Sequence, residues 1–538
     1  MSTREQNIER LSSTHFDVLI VGGGINGAVS AAALAARGVK VGLIDARDFA
    51  GFTSQQSSNL IWGGIKYLET YEFALVSKLC KARNTLLKHY PSAVEEVRFL
   101  TSIPKSFRRH PRLVWAGTWL YWLMGRGYTK TPDYLSTRRL KQEEPVINTS
   151  ACRGGVEYSD AYLHDNDARF VFNFVRSAND KGCIACNYLS AEKAVRDTDG
   201  LWSVSVKDKV DGNEFAIRSR IVINAAGAFV DNFNTASQIN TQYQHIFSKG
   251  IHLIVPKITD SKRVLAFFAD DGRLFFAIPM GERTCIGTTD TPVSDPNTPV
   301  TEEDRDFVLD NINARLDLSE PLTRDDIIAE RCGVRPLAVE NESESGVDFL
   351  QLSRKHVVER DPDKPYMSIF GGKLTDCLNV GDEVCQKVAE MGIKLVSNKA
   401  LENTQWYGEP GTEQHLSYCQ RARTLSLDEI RLPGSNETLL VRLWRRYGMD
   451  AFGMLDQIEQ DRAQAETVIK GAALFRCELR HLGEKEMLTS LGDLLHRRTK
   501  IGLVISRDNL KASEGTMEVC RAVFGEQARE KYDEYFAS

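Results

Sequence analysis

The stretch FDVLIVGGGINGAVSAAALAARGVKVGLID, Phe16 to Asp45, decides the fold. Phe16 to Val21 is a nearly continuous apolar run, the pattern of a parallel strand buried on both faces. Gly22, Gly24 and Gly27 follow at G-x-G-x-x-G spacing, and an alanine-rich, helix-favouring stretch then runs to Ala36 and stops at Gly38. Val39 to Ile44 reads as a second strand, and Asp45 ends it 18 residues beyond Gly27, close to the roughly 20 expected of a dinucleotide-binding unit. Gly22 permits the tight turn, Gly24 lets the backbone approach a pyrophosphate, and Gly27 lets helix and strand pack closely. Asp45 is the expected acceptor for the adenosine ribose hydroxyls. A glycine-rich turn in an empty α/β fold would not need that acid.

The rest of the chain sets the bounds. Its 538 residues suggest three or four units at about 150 residues each. With 42% hydrophobic and 26% charged residues it reads as a globular chain, neither disordered nor disulfide-knotted. A net charge of −5 carries no polyanion-binding signature, so no nucleic-acid partner is expected. The 11 cysteines are scattered and odd in number, as reduced cytosolic thiols are. Cys183 and Cys186 form a lone CxxC, read as coincidence. Met1 to His15 has no apolar core of a secretory signal, and no apolar run reaches the ~20 residues needed to span a bilayer. The expected location is the cytoplasm, free or peripheral at the inner face of the cytoplasmic membrane.

The glycine fingerprint alone does not choose between FAD and NAD. Three further segments favour flavin: TSQQSSNLIWGGIKYLETY (Thr53 to Tyr71), RIVINAAGAFVD (Arg220 to Asp231) and IFGGKLTD (Ile369 to Asp376). With them the chain resembles the FAD-dependent glycerol-3-phosphate dehydrogenase/oxidase family, within the D-amino-acid-oxidase-like flavoproteins. The resemblance continues through EYSDAYLHDNDAR (Glu157 to Arg169), KGIHLIVP (Lys249 to Pro256) and FFAIPMGERTCIGTTD (Phe275 to Asp290). It extends to GVRPL (Gly333 to Leu337) and LGDLLHRRTKIGL (Leu491 to Leu503). It implies an α/β fold with a discontinuous Rossmann-like FAD-binding domain from residues 16–90, 155–240 and 330–390. A β-sheet cap carrying substrate contacts comes from 91–154 and 241–329, and a helical carboxyl-terminal domain from 395–538, where Glu486 to Arg498 has helix-favouring periodicity.

The resemblance also implies roles. FAD contacts fall to Gly22, Gly24, Gly27, Asp45, Thr53, Ser54, Ser58, Gly63, Gly64, Ala226, Gly227, Gly371, Gly372, Lys373, Leu374 and Thr375. Oxidation of glycerol 3-phosphate to dihydroxyacetone phosphate needs a hydride acceptor at flavin N5, a base and a grip on the phosphate. Arg335 matches the phosphate arginine, and a guanidinium can grip phosphate through two donors. His252 matches a histidine near the flavin and is the first choice for proton transfer; on an apolar strand alone it would read as a core residue. Lys373 matches a lysine at the pyrimidine edge, and Lys66 and Tyr67 complete the catalytic candidates. Quinone is the expected electron acceptor, with oxygen as the other option. No metal is expected: His164, near Asp160, Asp165 and Asp167, reads as part of a solvated acidic loop. The oligomeric state is open.

Three positions depart from the family pattern. Trp62 stands where a histidine is usual, Lys66 where an arginine is, and Asp376 where a second threonine is common. Lysine keeps the charge but loses the forked geometry. Either Lys66 and Arg335 still hold glycerol 3-phosphate, or the site is remodelled for another hydroxy acid or an amine. A flavin-bearing binding module with Trp62 blocking the site is the reading outside enzymology.

Residues 97–132 contain no acid and seven bases, Arg98, Lys105, Arg108, Arg109, Arg112, Arg126 and Lys130. Trp115, Trp119 and Trp122 stand there at i, i+4 and i+7, on one face of a helix. Basic flanks around an aromatic face suit a lipid headgroup layer, with 98–130 as the contact; a core helix with solvated arginines is the other reading.

Overall fold

The computed structural model describes residues 3–269, 273–341, 355–396 and 412–537. The strand His15–Val21 lies in parallel register between Glu214–Asn224 and Val41–Ile44, and Tyr366–Phe370 and Ile184–Cys186 extend the parallel sheet on either side. Val357–Arg360, Trp202–Asp208 and Leu189–Arg196 add antiparallel pairings, for eight strands. Val18 and Ile20 face one core cluster, and Leu19 and Val21 face a second, so both faces of the central strand are covered. Each fully buried aliphatic side chain there contributes about 1.5–3 kcal/mol. The helix Ile25–Ala35 buries Ala28, Ala31 and Ala35 against that sheet, and their small side chains let Asp167–Asp180 and Cys377–Glu390 pack alongside.

A second sheet has ten strands, in the order Thr291–Val293, Tyr243–Pro256, Arg283–Gly287, Leu274–Met280, Val264–Phe268, Val94–Pro104, Cys152–Leu163 and Leu60–Ile61. Ala329–Glu340 joins it on Tyr243–Pro256, paired without interruption from Tyr243↔Glu340 to Ile254↔Ala329. Asp133–Leu135 joins it on Cys152–Leu163.

Three segments expected in the FAD-binding domain are strands of the second sheet, the two-residue Leu60–Ile61 and two longer ones. Residues 155–163 and 330–340 were assigned to the FAD-binding domain, yet both are strands of the second sheet. Each belongs to a long antiparallel pair, and satisfying the ladder across its whole length carries it over the expected boundary.

The carboxyl-terminal region is helical, as expected. Its helices include Thr412–Thr424, Leu439–Tyr447, Ala451–Gln460, Arg476–Lys485 and Glu514–Phe524, around Tyr418, Leu443, Tyr447, Leu455 and Phe475. The expected helix over Glu486–Arg498 is shorter. Only residues 491–498 are helical, because the Asp493 carboxylate accepts from the Thr489 and Ser490 N–H groups (2.8 and 2.9 Å) and fixes a turn before them.

Candidate active site

The first glycine turn is closed on one side and open on the other. A Cβ on Gly22 would lie 2.4 Å from the Ala225 carbonyl oxygen, and one on Gly27 only 1.8 Å from the Gly22 carbonyl oxygen. Gly24 meets only the Ser54 hydroxyl, at 3.2 Å, at the amino terminus of Ile25–Ala35. That helix end presents its N–H groups on the open side, and the Ile25 N–H donates to Ser54 Oγ (3.0 Å). Asp45 accepts from the Gly23 N–H (2.6 Å) and the Arg47 N–H (2.8 Å). Burial nonetheless pushes its carboxyl up to about 7, so hydroxyl donors from a ligand would favour its ionised form. Gly227 has a φ of +59° and open space where a Cβ would stand, while the Ala226 N–H is turned to Asn224. A glycine cradle, a helix amino terminus and an under-donated carboxylate fit the pyrophosphate and ribose of a dinucleotide.

Three loops converge on this turn. Asn26, in the helix's first turn, donates to the Gly371 carbonyl (2.9 Å), and its amide lies against Gly372. Gly371 and Gly372 have φ of +63° and +113°, backbone that only glycine adopts readily. Lys373 donates to the Tyr67 hydroxyl (2.7 Å), and Thr375 donates to the Trp62 carbonyl (3.1 Å). Leu374 packs against the core under this turn. Thr53 donates to the Val334 carbonyl (2.7 Å), tying the 53–58 segment to the second sheet. Ser58 makes no side-chain hydrogen bond among the described residues.

The 62–64 loop rests on a buried group that sequence reasoning missed. Asp160 Oδ1 accepts from the Gly63 N–H (3.1 Å), Arg83 (2.6 Å) and the Tyr121 hydroxyl (2.6 Å). A Cβ on Gly63 would meet the Tyr121 hydroxyl at 2.2 Å, and one on Gly64 would meet the Tyr67 ring at 2.7 Å. The acids around His164 are therefore not a solvated loop. Asp165 binds Arg445 and Arg446, and Asp167 accepts from the Ser57 N–H (2.7 Å) and buried Arg331 (2.6 Å). Solvent-like composition hid them, because their cationic partners lie far away in sequence.

His252 and Arg335 meet on one face of the second sheet. His252 is 3% exposed, and neither ring nitrogen has a hydrogen-bond partner. It shares a strand face with Ile254, whose cluster includes Leu60, Tyr158 and Tyr162, with Trp62 and Tyr67 against it. Burial, then Arg331 and Arg335, hold its imidazole well below the ordinary histidine range. Arg335 lies over Gly250, two residues before His252; a Cβ there would be 2.1 Å from its Nη2. The guanidinium donates to Asp290 (3.2 Å) and the Thr288 hydroxyl (3.2 Å). Asp290 was visible only as part of a quoted motif. Lys66 is half-buried and has no side-chain partner among the described residues. The Trp62 indole packs against the Tyr67 ring, with ring centroids 6.2 Å apart.

At Asp376, His356 Nδ1 (2.7 Å) supplies a partner, and Nε2 of the same ring reaches Glu383 (3.0 Å). On the outer side, the helix Pro111–Met124 buries Thr118 and Tyr121 and exposes Leu113, Leu120 and Leu123. Trp115, Trp119 and Trp122 share a half-buried face, with ring centroids 6.2 and 5.4 Å apart. No helix among the described residues is long and apolar enough to cross a membrane.

Residues 17–360 match the DAO family of FAD-dependent oxidoreductases, and residues 406–531 match the C-terminal domain of alpha-glycerophosphate oxidase. The chain is 32% identical to a glycerol-3-phosphate dehydrogenase of Pseudomonas tolaasii, over 91% of this chain and 92% of that protein. It is 31% identical to the aerobic glycerol-3-phosphate dehydrogenase of Escherichia coli K12, over 91% and 95%. Its fold is like that of the Bacillus halodurans glycerol-3-phosphate dehydrogenase solved with FAD, with a TM-score of 0.75, 24% identity and coverage of 100% and 97%.

Proposed function

Since the chain belongs to the DAO family of FAD-dependent oxidoreductases, in its glycerol-3-phosphate dehydrogenase/oxidase group, we propose that it oxidises sn-glycerol 3-phosphate to dihydroxyacetone phosphate. The observation that carries the substrate is Arg335, held over Gly250 beside buried His252. Its fork is oriented by Asp290 and Thr288, and the Lys66 ammonium, without a side-chain partner among the described residues, adds a second cation for a dianion.

The Gly22–Gly27 turn, Asp45 and Ser54 would hold bound FAD, together with Gly63, Gly64 and the 371–375 turn, which converge on the same turn. When bound, FAD supplies the two-electron acceptor for the C2 hydrogen and its bonding pair, at N5. His252 takes the hydroxyl proton at one of its unpartnered ring nitrogens. Lys373, oriented by Tyr67, places positive charge at the ring edge. Electrons leave to a quinone at a membrane surface, which the exposed Leu113, Leu120 and Leu123 and the flanking arginines would meet.

Anaerobic addition of glycerol 3-phosphate to the holoenzyme tests the substrate: the oxidised flavin band should bleach saturably. No bleaching, with chemical reduction still possible, would favour the second reading, a site remodelled for another hydroxy acid or an amine. The indole of Trp62, packed against the cluster of Leu60, Tyr158 and Tyr162, is the observation on its side.

A further inference from the structure

We propose that the carboxyl-terminal domain keeps the FAD site in shape through Arg497 and Arg498, acting on Asp48 as positioning residues for the cofactor. The segment 45–55 has two sides. Inward, Asp45 accepts from the Gly23 N–H, Ser54 accepts from the Ile25 N–H, and the Ala50 N–H donates to the Gly23 carbonyl (3.0 Å). Phe49 lies directly under Gly23, where a Cβ would be 2.5 Å from its ring. The cofactor turn and this segment therefore cannot shift independently.

Outward, Asp48 is 1% exposed, and its carboxylate accepts from Arg498 (2.8 and 2.9 Å), Arg497 (2.7 Å) and Asn187 (2.9 Å). Arg497 also donates to the Gln55 side chain (3.2 Å), beside Ser54, and pairs with Asp493. Asp493 in turn accepts from Tyr188 (2.6 Å), whose N–H donates to the Arg47 carbonyl (2.9 Å). Arg498 is itself fully buried, with its guanidinium 3.8 Å from the Phe172 ring centroid and donating to the Glu486 carbonyl (2.9 Å). A carboxylate buried this deeply stays in place only with its cations. Without them Asp48 turns toward water, carrying Asp45 on one side and Ser54 on the other. Linkage makes the effect reciprocal, so that bound FAD also tightens the seating of the carboxyl-terminal domain.

The test follows FAD release from the holoenzyme by the rise of free-flavin fluorescence, at one temperature below unfolding. Arg497→Gln and Arg498→Gln are compared with Arg445→Gln. Arg445 also crosses to the body of the molecule, through Asp165 and the Ser92 carbonyl, but makes no bond to 45–55. Release should be about tenfold faster or more in the first two variants and within about twofold of wild type in the third, although all three melt earlier. Release rates for Arg497→Gln and Arg498→Gln that match Arg445→Gln would overturn the proposal and leave the pair a structural role only. Should Arg498→Gln fail to fold, Arg497→Gln decides alone, since it leaves the Arg498 fork on Asp48.

Discussion

A Cβ at Gly27 would fall 1.8 Å from a backbone oxygen that has no room to retreat. Gly27→Ala should therefore cost about 1–3 kcal/mol of stability and yield protein with a visibly lower flavin-to-protein absorbance ratio. At Arg335 the geometry of the fork is at stake as well as the charge. Arg335→Lys should lower kcat/KM for glycerol 3-phosphate by about tenfold or more, mainly through KM, in steady-state assays with an artificial acceptor. With His252 as the proposed base, it should set the acid side of the pH profile, because a proton acceptor fails as pH falls through its pKa. Burial and the two arginines hold that value low in the free protein, and a bound phosphate offsets Arg335 and raises it. The acid limb of kcat should then stand at higher pH than that of kcat/KM; coincident limbs would remove His252 as the base.

Among the elements, the His356 cluster at the start of Cys377–Glu390 has a definite pH signature. Burial works against charge on His356, yet Asp376 and Glu383 raise its pKa overall, and it lowers theirs. The histidine's contribution is complete below its unfolded value, ~6.5, and is lost as pH rises through the raised one. The carboxylates' contribution is complete above ~4 and is lost as pH falls through their lowered values. The melting-temperature gap between wild type and His356→Gln should peak between these limits and narrow above neutrality. For the helix Pro111–Met124, neutralising Arg112 and Arg126 together should weaken binding to anionic vesicles by about 2 kcal/mol, roughly thirtyfold, in co-sedimentation.

These elements also show what a sequence reveals. The strand, turn and helix at 16–36 were legible because their signals are local: an apolar run, three glycines at fixed spacing and an alanine-rich helix. The helical periodicity that placed three tryptophans on one face is local in the same way. Asp376 looked only like a departure, since its partner His356 lies across a sheet edge and carries no spacing rule. Residues 155–163 and 330–340, expected beside the glycine fingerprint, pair in the second sheet for a related reason: apolar alternation announces a strand and says nothing about its neighbour.

At the scale of the whole molecule, the carboxyl-terminal domain meets the rest through charge buried in pairs. Arg169 donates to Glu486 (2.6 Å), and Arg445 and Arg446 meet Asp165. Arg169→Met leaves Glu486 buried without its first cation and should destabilise the protein by about 3–5 kcal/mol in denaturant unfolding. Although burial opposes their charge, arginines hold Asp48, Asp165, Glu478 and Glu486 below the usual carboxylate range. Their stabilisation is present above ~4 and is lost as pH falls through the lowered values, while buried Asp160, whose carboxyl is raised, works in the opposite sense. A melting temperature that falls steeply in solution more acid than about pH 4 is the expected profile.

The parallel sheet has a consequence for how the protein is made. Its strands come from residues 15–44, 184–186, 214–224 and 366–370, so no growing chain on a ribosome can close it early. At about 5–20 residues per second, roughly 16–65 s separate the synthesis of Ile44 from that of Phe370. Until Asn224 has been made, the FDVLIV strand has one edge without its final neighbour, and the nascent chain depends on chaperones or on slow translation to keep it from the wrong partner.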